Sequence, residues 1–433
     1  MQTLFKQLIT ILKGQLFRST GVYLGSSFLN SLIPFLMIPV LTRYLTPIDY
    51  GIVTMFTVLV GFVTPFTGLS VHGAIYRQYF DLDREAMNIY VTNILVILIS
   101  SFCIVSVVFF LFSDQITKLS AVPREWLAAV VIVSSVAFLS QILLSLWRLE
   151  IKPFAYGIYQ NIYTLTNLGL SLFFVVVLGF SWQGRIGGIV LSGVLFGFIA
   201  LILLYRQNRL RFKLNLGYIK NALNFGIPMV PTALKGSLMV ITDRLFITNM
   251  IGIGATGLYA AGYQMTLVIH LLTASFNNAY VPWLFGKLKL DDQNMNKNIV
   301  RFTYIYFIGI AVIALLWAIV AIWLLGFFVG PKFYDARAYV VWFSLGFAFS
   351  GMHAMVVNYI YYAQKTGRYG LISVISIGIN VLLNYVLIPL NGAVGAAQAM
   401  CFTYLFTFLM TWWLSSKVHP MPWCLSCWRR DAC

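Results

Sequence analysis

The chain has 433 residues, of which 60% are hydrophobic and 9% charged, and its formal net charge is +17. Soluble domains carry roughly 25% charged residues, so this composition excludes a soluble globular protein and indicates one that crosses a membrane many times. The basic residues stand in short segments between apolar runs, which is typical of topology signals and argues against nucleic acid as a partner.

The chain starts with an amphipathic stretch and continues with repeated apolar runs. Residues 1–17 place their Leu, Ile and Phe residues largely on one helical face, which predicts an interfacial helix lying on the membrane. Each later run has about 20 apolar residues, enough to cross a bilayer. We predict twelve transmembrane helices near residues 20–42, 51–74, 89–112, 127–147, 156–179, 186–205, 227–250, 257–284, 302–328, 338–361, 369–389 and 395–416.

Orientation follows from the Lys and Arg residues. With the N-terminus inside, twenty-one of the 29 fall in cytoplasmic segments, and only six fall on the opposite side, among them Arg185. Basic residues are retained on the cytoplasmic side of membrane proteins. Both termini are therefore predicted to be cytoplasmic.

The order of the spans suggests an internal repeat. Tyr156-Gly157 and Asn167 recur as Tyr369-Gly370 and Asn380, and six spans lie in each half. Internal repeats of this kind are common in transporters. The predicted organisation is the interfacial helix 1–17, an N-lobe 18–205, a basic cytoplasmic linker 206–226, a C-lobe 227–416 and a cytoplasmic tail 417–433.

The seventh span holds three charged residues, Lys235, Asp243 and Arg244. A charge near the middle of a membrane helix costs about 2.5–3.5 kcal/mol even on lenient scales, so such charges are expected to face protein, water or a ligand. We expect Lys235 and Arg244 to bind an anionic substrate. Nine positions along a straight helix put them on opposite faces, so one of the two is predicted to point elsewhere unless the helix is irregular.

Asp243 has two interpretations that the sequence leaves open. It is either the charge partner of a basic residue or an ion-coupling site, since burial raises the pKa of a carboxyl group. We favour the charge partner, because nearby basic residues keep an acid ionised. The sequence contains no convincing metal-ligand cluster, phosphate-binding glycine loop or catalytic constellation, so no metal site, cofactor or enzyme activity is expected.

Three stretches resemble a known family: LTRYLTPIDYGI, TDRLFITNMIGIGATGLYAAGYQM and KTGRYGLISVISIGINVLLNYVLIPLNGAVGAAQAM. They are similar to polysaccharide biosynthesis transporters, and in particular to the O-antigen and repeat-unit flippases of the multidrug/oligosaccharidyl-lipid/polysaccharide exporter superfamily. The resemblance covers residues 15 to 415. It implies an all-α, MATE-like protein of the bacterial inner membrane, with two six-helix lobes around a central, cationic cavity.

The same resemblance implies the function. Such proteins are thought to move undecaprenyl-diphosphate-linked oligosaccharide to the periplasmic leaflet by alternating access, with membrane lipids and polysaccharide polymerase machinery as further partners. On that basis Arg77 and Arg148, which end the second and fourth spans, are candidate contacts for the entering diphosphate. The competing interpretation makes both ordinary topology charges. The alternative functions are a cation-coupled multidrug exporter of the same superfamily and a membrane polysaccharide polymerase.

Overall fold

The computed structural model describes residues 25–26, 29–30, 35–289 and 293–423, and it gives residues 235, 236 and 366 only as parts of their helices. The described residues form helices and connecting turns, with no β-strand among them. The predicted interfacial helix 1–17, part of the first predicted span and the tail after residue 423 lie outside the described residues. Contacts divide the chain into two units, Met1–Ile241 and Thr242–Cys433.

The first unit holds the helices up to the beginning of α9, and α9 continues across the division. In chain order they are α1 Phe35–Tyr44, α2 Pro47–Val63, α3 His72–Asp81, α4 Arg84–Leu111, α5 Ser113–Ser120, α6 Leu127–Leu149, α7 Pro153–Leu172, α8 Trp182–Arg206 and α9 Leu216–Met250. A π-helical turn, Phe173–Val177, extends α7.

The second unit holds the end of α9 and five further helices. These are α10 Ile253–Leu288, α11 Gln293–Phe328, α12 Arg337–Tyr362, α13 Thr366–Asn391 and α14 Ala393–Val418. The helix α12 packs against α10, α11 and α14. Its buried face carries Phe343 and Phe347, and their rings contact Tyr263 of α10 edge-on at centroid distances of 5.5 and 5.4 Å.

The apolar runs of the sequence correspond to long helices. Among the described residues, eight helices are long and apolar enough to cross a membrane, and α9 adds a ninth if its two parts, Leu216–Leu234 and Ser237–Met250, form one broken span. Each of the eight coincides with a predicted span. The protein is therefore a multi-pass, all-α membrane protein, which confirms the predicted fold class.

The second predicted span differs from the prediction of a helix over 51–74. The helix α2 begins with a capping box between Thr46 and Asp49 and ends at Val63, and turns follow until α3. Gly68 in these turns has a φ of 77°, a conformation that favours glycine. Pro65 has no backbone N–H, so it cannot continue the helical hydrogen bonds. A proline and a glycine thus interrupt an otherwise apolar run.

The predicted linker is attached to α4 through its backbone. The amide of Asn93 donates to the Lys213 carbonyl at 2.9 Å and accepts from the backbone N–H of Asn215 at 2.9 Å. The N–H of Arg211 donates to Thr92 Oγ1 at 2.9 Å. The helix α9 begins at Leu216, within the segment predicted to be linker. The basic segment is consequently an ordered part of the first unit.

Three helices, α6, α8 and α12, end in the same way. In each, a non-glycine residue adopts a left-handed conformation and a basic residue follows it. The N–H of the basic residue donates to the carbonyl five residues earlier, and that of the left-handed residue to the carbonyl three residues earlier, which is the Schellman pattern. The pairs are Ile151–Lys152, Asn208–Arg209 and Gln364–Lys365.

Close packing of α7 on α8 depends on Gly188. A Cβ added at Gly188 would lie 2.3 Å from Ser171 Oγ and 2.8 Å from Ser171 Cα. The Gly188→Ala variant is expected to lose about 1–3 kcal/mol of unfolding free energy, because the two backbones must separate. The matched control is Gly193→Ala on the same helix, whose Cβ would meet Val136 Cγ2 at an ordinary 3.6 Å. Unfolding in detergent with added denaturant measures both, and equal stability of the two variants would contradict this packing.

Candidate functional site

Asp243 lies at the centre of a buried polar network in the second unit. Only 3% of the residue is exposed. Its Oδ2 accepts a hydrogen bond from the Tyr259 hydroxyl at 2.9 Å, and its Oδ1 accepts from the side-chain amides of Asn380 at 3.1 Å and Asn384 at 2.8 Å. The helices α9, α10 and α13 therefore meet at one carboxylate. Its direct partners are neutral side chains rather than the basic residue favoured by the sequence interpretation, although Arg244 adds an electrostatic attraction.

The same network contains oxygen atoms that accept nothing from the described residues. Asn380 Oδ1 and Asn384 Oδ1 are buried and have no hydrogen-bond partner. Leaving a buried polar atom unsatisfied costs roughly 1–3 kcal/mol, so each such group calls for an explanation. Amide and carboxylate oxygens are ligands that hard cations prefer. The arrangement is thus chemically suited to a small cation or a proton.

Arg244 is also buried, with 6% of its surface exposed. Its guanidinium carbon lies 5.0 Å from the centre of the Tyr263 ring and 5.7 Å from that of Tyr259. Aromatic faces attract cations at such distances and hold them without neutralising them. Arg244 is thus a buried cation that lies against two aromatic rings and close to the Asp243 carboxylate. Lys235 belongs to α9, and its side chain lies outside the described part of the structure.

Arg148, near the end of α6, is held by two tyrosine side chains. It donates to Tyr76 Oη at 3.1 Å and to Tyr156 Oη at 2.8 Å, and its guanidinium carbon lies 5.2 Å from the centre of the Tyr156 ring. These contacts link the middle of α3 to the end of α6 and the first turn of α7. Arg148 is thus fixed in place by neutral groups, as a residue that binds an anion would be.

Arg77, on α3, lines a small cavity of about 150 Å³ in the first unit. Its polar lining includes Gln78, Asn221 and Asn224. A cavity of this size admits a few water molecules or one small anionic group. Arg77 and Arg148 line different sites in the structure, and their predicted role at the entrance remains a proposal.

A larger cavity of about 560 Å³ lies beside the loops that follow α3, α6 and α8. Arg84, Lys152 and Arg209 line it together with one acid, Glu150, which pairs with Lys152 at 2.6 Å and with Arg209. Burial lowers the pKa of the Arg209 guanidinium from its usual value, and repulsion by Arg84 acts in the same direction. The cavity therefore has a net positive charge, and its one acid is paired with two of its three basic residues.

Arg185 forms a polar network that the sequence reasoning missed. We assigned it to an outer loop, but it lies in the first turn of α8 and reaches into α7. Its Nη1 donates to Asn167 Oδ1 at 2.7 Å and to Ser171 Oγ at 2.6 Å, while Asn167 Nδ2 donates to Ser192 Oγ at 2.9 Å. The sequence feature that could have indicated this network is the glycine-rich segment around Arg185, because glycines permit two helices to approach closely.

The described residues contain no group of three His, Cys, Asp or Glu side chains that could hold a metal ion. An apolar cavity of about 490 Å³ lies between α10 and α11, and its walls include the rings of Phe276, Tyr280, Trp283 and Phe302. Aromatic walls of this kind suit an apolar chain or the face of a sugar ring.

Comparison with solved structures identifies the fold. The inward closed conformation of the lipid II flippase MurJ superimposes with a TM-score of 0.74 at 14% identity, covering 93% of this chain and 87% of that one. An outward-facing multidrug resistance MATE family transporter of the MOP superfamily gives a TM-score of 0.61 at 14% identity, covering 94% and 97%. At such identities the similarity establishes the fold alone, and it confirms the predicted MATE-like architecture.

Sequence comparison decides the family. The polysaccharide biosynthesis protein family matches residues 16–288. The chain belongs to this family. Two Haemophilus influenzae proteins are each 26% identical to it: an uncharacterized membrane protein, covering 90% of this chain and 97% of the relative, and Lsg locus putative protein 1, covering 91% and 98%. The matched range, residues 16–288, includes Arg77, Arg148, Arg185 and Asp243, whereas Asn380 and Asn384 lie beyond it.

Proposed function

We propose that this protein is a flippase that moves undecaprenyl-diphosphate-linked oligosaccharide, such as an O-antigen or related repeat unit, across the bacterial inner membrane by alternating access. The observation that carries the proposal is the buried Arg244 in a membrane-spanning helix of a polysaccharide biosynthesis protein. A buried cation in a membrane helix is costly, and such residues typically mark the path of a substrate or an ion. A diphosphate or acidic sugar would meet that charge.

Further support comes from the fold and from the aromatic rings around Arg244. MurJ, whose fold this chain shares, is named a lipid II flippase, and MATE proteins are multidrug transporters. Guanidinium groups suit phosphate oxygens by charge and by paired hydrogen bonds. We therefore assign Lys235 and Arg244 to the substrate path, Arg77 and Arg148 to its cytoplasmic entrance, and both termini to the cytoplasm.

Asp243 completes the proposal as an ion-coupling residue. The unpaired amide oxygens of Asn380 and Asn384 beside its carboxylate favour a cation or proton at this site over the alternative of a charge partner. A carboxylate that gains and loses a positive ion can bias a transporter between two states, because the ion binds one state more tightly than the other.

The test is deletion of the gene followed by analysis of undecaprenyl-linked intermediates. We expect a single repeat unit to accumulate on the cytoplasmic face, and complementation by the wild-type chain to restore surface polysaccharide. The double variant Lys235→Ala, Arg244→Ala should insert normally but restore less than one tenth of it. Full restoration would contradict the role of these two residues, and unchanged intermediates in the deletion strain would contradict the flippase.

Two alternatives predict different outcomes. A multidrug exporter should change the drug susceptibility of the deletion strain, yet cationic drugs require buried acids. Among the described helices, Asp243 is the one acid buried within an apolar span. A polymerase should assemble long chains from already flipped units when purified. Drug susceptibility and chain assembly are both measured independently of the undecaprenyl-linked intermediates.

A further inference from the structure

The two lobes contain the same pair of polar positions. One pair holds the positive charge of Arg185, and the other holds the negative charge of Asp243. Asn167 and Ser171 on α7 precede Asn380 and Asn384 on α13 by 213 positions, the spacing at which Tyr156-Gly157 recurs as Tyr369-Gly370. In the first unit the pair accepts hydrogen bonds from Arg185. In the second unit the pair donates to Asp243.

The polarity of each pair matches the charge it holds. Asn167 turns its oxygen towards Arg185, and its nitrogen is fixed by Ser192 Oγ at 2.9 Å. Asn380 and Asn384 turn their nitrogens towards Asp243 instead. An amide side chain can serve either purpose, because it carries both a donor and an acceptor. The repeat thus supplies one scaffold that is used for a cation in one lobe and for an anion in the other.

Only one nitrogen of the Arg185 guanidinium donates hydrogen bonds to described side chains. Nη1 makes both of its described hydrogen bonds, to Asn167 and Ser171. The edge formed by Nε and Nη2 donates to no described side chain, and it is the edge that binds carboxylate or phosphate with two parallel hydrogen bonds. The ion pairs of the described residues join Arg124, Lys152 and Arg209 to acids and do not include Arg185.

The surroundings of Arg185 also favour an anion. Tyr50 and Tyr163 are close enough to interact with its charge electrostatically. The residue is half-buried and keeps part of its surface accessible. Gly188, three residues after Arg185, lets α8 approach Ser171 closely, so the acceptors of the guanidinium stand on a tightly packed helix. A cation fixed by neutral acceptors keeps its full charge for a ligand, whereas an ion-paired cation does not.

We propose that Arg185, held by Asn167 and Ser171, is an anion-binding site within the N-lobe that takes the phosphate group of a membrane-embedded ligand. The ligand is either the diphosphate of a lipid-linked saccharide or the headgroup of an anionic phospholipid. Only the first choice rests on the proposed function.

The test measures binding of farnesyl diphosphate to the purified full chain in nanodiscs of neutral phosphatidylcholine, by calorimetric titration. We expect Arg185→Gln to weaken binding at least tenfold and Arg185→Lys to weaken it less. The decisive variant is Asn167→Asp, which places a carboxylate against the guanidinium at the same position. It should weaken binding as much as Arg185→Gln while leaving the unfolding temperature at or above that of the wild type.

The matched control is Arg124→Gln, since Arg124 is exposed and pairs with Asp114 at 3.1 Å. It should bind farnesyl diphosphate like the wild type. A second set of nanodiscs containing phosphatidylglycerol distinguishes the two sources. If phosphatidylglycerol competes with farnesyl diphosphate in the wild type but not in Arg185→Gln, the site exists and binds a lipid headgroup. If phosphatidylglycerol does not compete in the wild type, the site binds the diphosphate.

Wild-type affinity in both Arg185→Gln and Asn167→Asp would overturn the proposal, and so would a fall in the unfolding temperature of Asn167→Asp, which would show a structural role instead. The flippase is judged separately from the intermediates of the deletion strain. Arg185-dependent binding without accumulated repeat units would overturn the flippase alone.

Discussion

Replacing Asp243 with asparagine is expected to abolish the response of transport to an imposed ion gradient while leaving the protein folded. The amide has nearly the same shape as the carboxylate, but it carries no charge that can be neutralised by a proton or a cation. We expect less than one tenth of the wild-type rate of lipid-linked saccharide transfer in proteoliposomes under a proton or sodium gradient. Replacement by alanine should also lower the unfolding free energy, by about 1–3 kcal/mol, because the donors of Tyr259, Asn380 and Asn384 lose their acceptor.

The control for this experiment is Asp335→Asn. Asp335 is an exposed acid in the short 3₁₀ helix before α12, so its charge can be removed without disturbing a buried network. It should transport like the wild type. Gradient-dependent transport by Asp243→Asn at the wild-type rate would contradict ion coupling and return Asp243 to a structural role.

Replacing Glu150 with alanine is expected to give the largest loss of stability. The carboxylate pairs with Arg209 and Lys152, and the side chains of Glu150 and Arg209 are only 8% and 11% exposed. Removing one partner of a buried pair leaves an uncompensated charge, at a cost of about 3–5 kcal/mol. Because Lys152 is 52% exposed and can be solvated, most of the cost should come from Arg209. Denaturant unfolding in detergent measures the loss.

The matched control is Glu125→Ala, which removes an exposed acid and should change stability by less than about 0.5 kcal/mol. The double variant Glu150→Ala, Arg209→Ala should recover part of the loss, since the stranded charge is then absent. If the single and double variants were equally unstable, the uncompensated charge would not be the cause.

Hydropathy predicts the fold of this protein well because the bilayer sets the length of each span. The eight helices that meet the criteria for a span coincide with predicted ones, although none of their packing partners could be read from the sequence. Interruptions were harder to predict. Pro65 alone does not explain the turns that follow Val63, since these also depend on Gly68, whose N–H donates to Ser101 Oγ at 2.8 Å. That partner comes from another helix.

The candidate site was predictable in its charges but not in its partners. Arg244 and Asp243 stand out because charges are rare in apolar spans. The partners Asn380 and Asn384 lie 137 and 141 positions from Asp243, a separation at which sequence patterns carry no information about contact. Arg185 was misassigned because it stands just before an apolar run, where a loop charge and a first-turn charge look the same.

The Schellman ends of α6, α8 and α12 have a consequence for how the protein enters the membrane. Each end forms from residues within six positions of one another, so it can close while the rest of the chain is still being synthesised. In each, the residue that completes the helix end is the Lys or Arg that the topology prediction assigns to the cytoplasmic side. The signal that stops the helix and the signal that retains it are thus the same residue, and orientation can be decided span by span before any helix has found its neighbour.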